Sequence, residues 1–126
     1  MKMIGWLLLA SLLCGWALPP APPPASRNAQ AMQKINLDLS QIDENGMIGP
    51  ADGKHTVAYE FCIPRDATKR AEVLAIDPSL KFHASPGRIR CTAGQFLVIG
   101  EGGTKATLLA LASLPYITRI DPFYGE

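Results

Sequence analysis

Val57-Ala58-Tyr59-Glu60-Phe61-Cys62-Ile63-Pro64 alternates without a break. Val57, Tyr59, Phe61 and Ile63 fall on one side, and Ala58, Glu60 and Cys62 on the other. A period of two in β-branched and aromatic residues reads as a strand with one apolar face. Pro64 cannot donate to a ladder and stops it. The period then changes. Asp66 is a helix N-cap, and Ala67, Ala71 and Leu74 share one helical stripe. Asp77-Pro78 closes that helix, because the residue before a proline avoids the helical region.

Downstream, residues 81–83 offer a second strand, but Ser85-Pro86-Gly87 interrupts it. Residues 87–91, with Ile89 between Arg88 and Arg90, are the better candidate. Thr92-Ala93-Gly94 is a hairpin-length turn, and Phe96-Leu97-Val98-Ile99 is a continuous apolar run suited to a central strand covered on both faces. Glycines at 100, 102 and 103 break it. Thr104 caps a second helix with Leu108, Leu111 and Ala112 on one stripe. Pro115 follows that helix, and residues 117–121 make a last strand with Ile117 and Ile120 in the core. The order β-α-β-β-α-β over residues 55–126 predicts an α+β domain of the ferredoxin-like kind, two helices on a four-stranded antiparallel sheet. Right-handed crossovers place the first and third strands in its centre.

Upstream the pattern weakens. Residues 19–54 read as a proline-rich spacer followed by a weakly structured linker. Pro19, Pro20, Pro22, Pro23 and Pro24 favour extended polyproline II. Ile35, Leu37 and Leu39 alternate with polar residues and suggest a short strand, and Asn45-Gly46 and Asp52-Gly53 are turn signals. Asp43-Glu44-Asn45-Gly46 lacks the alternating ligands and the terminal glutamate of a calcium loop, so it reads as a loop only.

Residues 1–18 read as a signal segment. Lys2 precedes an apolar run of about 15 residues, shorter than the roughly 20 that span a bilayer. An uncleaved anchor is the alternative reading. Ala29-Gln30-Ala31 fits the small-x-small cleavage rule but lies far from the apolar run. Cys14 sits where a lipoprotein would carry its lipid, yet Leu13 is larger than the residue such signals place before the cysteine. The expectation is a periplasmic or secreted protein that meets a membrane only through its N-terminal segment.

Beyond that segment two cysteines remain, Cys62 and Cys91, with 28 residues between them. In an oxidising compartment an even pair in a small domain reads as a disulfide. The sharper alternative, a reactive thiol at Cys62, lacks a nearby histidine or a CxxC partner. The topology opposes the disulfide. If both cysteines end strands flanking a third, they stand about 9–10 Å apart, whereas a bridge needs Cα atoms within about 7 Å.

The chain has 126 residues and a net charge of +1, with its charges scattered. That distribution excludes the basic footprint of a nucleic-acid binder. His55 and His83 are isolated and share no ligand spacing with the cysteines, so no metal site is expected. Gly100-Glu101-Gly102-Gly103-Thr104-Lys105 lacks the spacing of a phosphate loop and reads as a strand-to-helix turn. Arg88, Arg90 and Glu60 would share the open sheet face as ordinary solvated charges. No serine lies in a nucleophile elbow. No catalytic residue and no cofactor are expected.

One segment carries a resemblance. Leu108-Leu109-Ala110-Leu111-Ala112-Ser113-Leu114-Pro115-Tyr116-Ile117-Thr118-Arg119-Ile120-Asp121-Pro122 resembles the end of the subtilisin propeptide (proteinase-inhibitor propeptide-like) family. There a leucine-rich helix meets a proline turn, then a strand with two aliphatic residues three apart, then an acid and proline. Ile117, Ile120, Asp121 and Pro122 match that motif; the two cysteines and the broken second strand depart from it. The resemblance implies the same order of elements and an inhibitor of subtilisin-like serine proteases. It also implies that Phe123, Tyr124, Gly125 and Glu126 occupy the position of the cleft-binding tail. With no protease domain following in this sequence, action in trans is implied. The readings carried forward are an exported non-enzymatic binding protein, protease-inhibitor-like; an envelope-associated structural domain or lipoprotein; and a thiol redox protein.

Overall fold

The computed structural model describes residues 24–124, with side chains from residue 28 onward. The signal segment, Cys14 and the first four prolines of the spacer lie outside the described residues, as do Gly125 and Glu126. In chain order the elements are α1 (Pro24–Lys34), a 3-10 turn (Leu39–Gln41), β1 (Met47–Ile48), β2 (His55–Thr56), β3 (Ala58–Pro64), α2 (Ala67–Ile76), β4 (Lys81–His83), β5 (Gln95–Glu101), α3 (Lys105–Ala112) and β6 (Ile120–Pro122). The protein is α+β. A four-stranded antiparallel sheet runs β4-β5-β3-β6, and β1 pairs with β2 in a separate hairpin.

The alternation of β3 sets the two faces of the sheet. Tyr59, Phe61 and Ile63 are fully buried and stand opposite Gly100, Val98 and Phe96 of β5. Phe61 also stands opposite Ile120 of β6. Val73 of α2, Leu108, Leu111 and Ala112 of α3, and Ile117 complete this core. The helix α3 packs between α1 and α2. Its start is fixed by Thr104, whose hydroxyl accepts from the Thr107 N–H at 3.1 Å. The glycines before it serve Tyr59. A Cβ on Gly103 would lie 2.8 Å from the Tyr59 ring, and one on Gly100 would strike it directly. Packing of one aromatic ring accounts for Gly100 and Gly103, whereas Gly102 takes left-handed backbone at φ 75°.

Asp66 caps α2 as expected, accepting from the Lys69 N–H at 3.0 Å. Its core contact differs from the expected stripe. Ala67 and Ala71 are exposed, Leu74 packs partly buried against the core as expected, and Val73 is the fully buried residue. Arg70, one turn earlier, places its guanidinium 4.5 Å from the Phe82 ring centroid. It also lies 5.6 Å from the Phe96 ring centroid, so the Arg70 side of α2 meets the Phe82–Phe96 pair while Val73 is buried in the core.

The second strand is β4, residues 81–83, and not the expected 87–91. Gly87 and Arg90 both adopt left-handed backbone, at φ 67° and 66°. That conformation cannot continue a strand, and it is uncommon for a residue other than glycine. Residues 86–91 instead form a tight strap, closed by Cys91 N–H to Pro86 O at 2.8 Å. The last strand also shifts. It spans Ile120–Pro122, and Ile117 is buried in the approach to it.

Residues 24–54 are more ordered than their pattern suggested. Ala31, Ile35 and Ile42 are buried in the same core as β3. Ile35, expected to begin a strand, makes one parallel bridge to Ile120, and the Asn36 N–H bonds Ile120 O at 2.8 Å. Asp38 then caps the 3-10 turn and ends any extended run. Among the described residues no helix is long and apolar enough to cross a membrane.

Candidate functional site

The face of the sheet away from the helices carries Glu60 and Cys62 of β3, Leu97 and Ile99 of β5, and Asp121 of β6. The strap lies across it. Cys62 and Cys91 are joined in a disulfide with their Cα atoms 5.5 Å apart. The expected topological difficulty disappears because Cys91 is not in the sheet; it reaches Cys62 from above. Ile89 and Cys91 pack on Leu97, with Cys62 and Ile99 alongside, in a small second apolar cluster.

Under the strap, Glu60 is only 3 % exposed, the one charged side chain in the core of the described residues. Its register partner on β6 is Asp121, so two carboxylates stand side by side on one face. Asp121 is fully engaged. Its Oδ1 accepts from Asn36 Nδ2 at 2.7 Å, and its Oδ2 pairs with Arg119 Nε at 3.1 Å. The same Arg119 donates through Nη2 to Ile89 O at 3.1 Å and ties β6 to the strap. Burial pushes the Glu60 carboxyl above its usual range, and the charge of Asp121 adds to this. Arg88, Arg119 and the Ile89 N–H pull the other way.

Beside Glu60 a cleft of about 320 Å³ opens between strap and tail. His83 and Arg88 stand at its edge, Leu97 and Ile99 line it, and Phe123 and Tyr124 form the tail side. The tail residues therefore belong to the same region as the strap, which no sequence spacing indicated. Phe123 donates its N–H to Ala58 O at 3.0 Å and continues the β6 pairing. Tyr124, the next residue, is 78 % exposed. Of the expected tail contacts, Phe123 is held by the sheet, Tyr124 projects, and Gly125 and Glu126 lie outside the described residues.

Arg88 and Arg90 do not share a face. Arg88 lines the Glu60 cleft, while Arg90 borders a separate depression with Cys62 and Arg119. The turn over 43–46 is closed by Asp43, which accepts from the Asn45 and Met47 N–H groups and pairs with Lys54 at 2.7 Å. That carboxylate is spent, and no cluster of three or more metal-ligating side chains occurs among the described residues. Asn36 and Arg119, which organise the site through Asp121, carried no sequence signal; only the register of β6 brings them in.

No family model matches the chain, and no curated protein or solved structure is similar to it.

Proposed function

We propose that this protein is an exported, non-enzymatic binding module of ferredoxin-like architecture that offers its C-terminal tail to the cleft of a subtilisin-like serine protease. The strand order β4-β5-β3-β6, with α2 and α3 each in a crossover, supports the architecture. The charge-free apolar run at residues 3–18 and the closed Cys62–Cys91 bridge support export.

The observation that carries the reading is the junction of Phe123 and Tyr124. The sheet holds Phe123 through Ala58 and releases Tyr124 into solvent. A chain leaving a sheet in this way is extended and partly preorganised, which lowers the ordering cost of pairing with a second backbone. The strap packs on the sheet face away from the helices, so the tail bears the contact. The purified protein is expected to inhibit subtilisin at micromolar concentration, and deletion of residues 123–126 to abolish inhibition. No inhibition by the intact protein at that concentration sinks the reading.

A further inference from the structure

Glu60 is a buried carboxylate that makes no ion pair among the described residues. The ion pairs of the described residues use Lys54, Lys69 and Arg119, and none reaches Glu60. Asp121 beside it is neutralised, with Arg119 on one oxygen and Asn36 on the other. Glu60 nonetheless lines two adjoining depressions, the cleft of about 320 Å³ and a second reaching toward Asn36 and Pro122. Arg88 and Tyr124 border both. The cleft thus holds one buried carboxylate that makes no ion pair, with Arg88 near it, two aliphatic side chains beside it and one exposed aromatic ring at its mouth. Its volume sits at the lower end of ligand pockets.

We propose that this cleft binds a small primary alkylammonium ion, with the ammonium on Glu60, the alkyl stem on Leu97 and Ile99, and the Tyr124 ring over the mouth. Each part follows from charge or surface type. A desolvated carboxylate gains most from a donor cation that brings its own charge. A short stem fills an aliphatic wall that a hydrated metal ion would leave wet. An aromatic face favours an ammonium nearby. Arg88 is the cation native to this mouth, and it is exposed, so it competes with the ligand. The inference shares Tyr124 with the protease reading but does not rest on it, since the ammonium ligand and the Glu60 carboxylate belong to this proposal alone.

The test is a titration of the full-length protein by amide-resolved NMR with n-butylammonium chloride, 1-butanol and sodium chloride as separate probes. The ammonium is expected to produce saturable shifts at Glu60, Ile99 and Tyr124, with neither control doing so. Glu60→Gln should weaken binding by roughly tenfold or more, the scale of one charge-assisted bond. Arg88→Ala, at an exposed position, should tighten it several-fold. Equal shifts from butanol or salt overturn the proposal, as does undiminished binding by a folded Glu60→Gln. If Glu60→Gln fails to give a dispersed spectrum, Arg88→Ala decides alone: unchanged or weaker binding overturns the proposal.

Discussion

The phenolic hydroxyl of Tyr59, at the centre of the core, donates to Oδ2 of Asp77 at the C-terminal cap of α2. The other carboxylate oxygen of Asp77 accepts from the backbone and hydroxyl of Ser79, at 3.0 and 2.7 Å. One side chain therefore holds the end of α2, the turn after it and the middle of the sheet. Tyr59→Phe should cost about 1–2 kcal/mol, the usual effect of removing one partner of a part-buried hydrogen bond. In a domain this size that lowers Tm by several degrees, read by thermal unfolding.

The same bond predicts an alkaline limit. Burial, then the bond to Asp77, pushes the Tyr59 hydroxyl well above its ordinary value. The unfolded chain releases that proton near pH 10 while the folded protein keeps it. Stability is therefore complete below about pH 10 and falls as pH rises past it. Tyr59→Phe should flatten this decline. Some will persist through Tyr116, which is raised in the same direction by partial burial and its bond to Glu72. Urea midpoints from pH 8 to 11 check this.

Gly100 and Gly94 make a matched pair. A Cβ on Gly100 would collide with the Tyr59 ring, whereas nothing lies within 4 Å of one on Gly94. Gly100→Ala should destabilise by about 1–3 kcal/mol through overpacking. Gly94→Ala should leave stability within about 0.5 kcal/mol, as surface changes usually do. Equal effects would show that the ring does not rest on that glycine.

Replacing both bridge cysteines by serine should cost about 3–4 kcal/mol on the chain-entropy account for a sequence separation of 29. The loss should be uneven. The Cys91 amide, bonded to Pro86, should lose hydrogen-exchange protection first, whereas Phe61 and Val98 should hold theirs until global unfolding.

Glu60 predicts a dependence on pH of the same sign and the same leading cause, burial, but in the acid range. Burial first, and then Asp121, favours its neutral form in the folded protein, against the pull of Arg88 and Arg119. The folded carboxyl holds its proton to higher pH than the unfolded one. Its contribution is thus intact below the unfolded value, near pH 4.3, and is lost as pH rises through the folded one. Glu60→Gln should melt higher than wild type at pH 7, with the gain shrinking toward pH 4. A variant that melts lower at pH 7 contradicts this assignment.

Where the fold was legible, a short-range pattern carried it. Tyr59, Phe61 and Ile63 announced their face by alternation, Asp66 and Thr104 announced helix starts, and Leu108, Leu111 and Ala112 marked a buried stripe. The failures share one cause, which is dependence on distant partners. Lys81-Phe82-His83 has one apolar residue and becomes a strand only because β5 lies beside it. Arg90 gives no sign of left-handed backbone; the bridge between Cys91 and Cys62 and the turn bonds of the strap hold it there. Ala31 alone does not mark a helix face, and Ile35 is drawn into the core by its bridge to Ile120, while α1 packs on α3. At the site, Glu60 and Arg88 were visible as charges on one face. Their convergence with Phe123 and Tyr124 required the register between β3 and β6.

The bridge from Ile35 to Ile120 decides how this sheet meets copies of itself. With Asn36 bonded to Ile120 O, one rim is already occupied by the protein's own backbone. The other rim is three residues long and carries Lys81 and His83. A second molecule seeking to lengthen the array finds one side taken and the other short and polar. Among the described residues, the four-stranded sheet offers rim-to-rim stacking only one edge met at Ile120 and one short polar edge. Even concentrated solutions should accordingly bind no thioflavin.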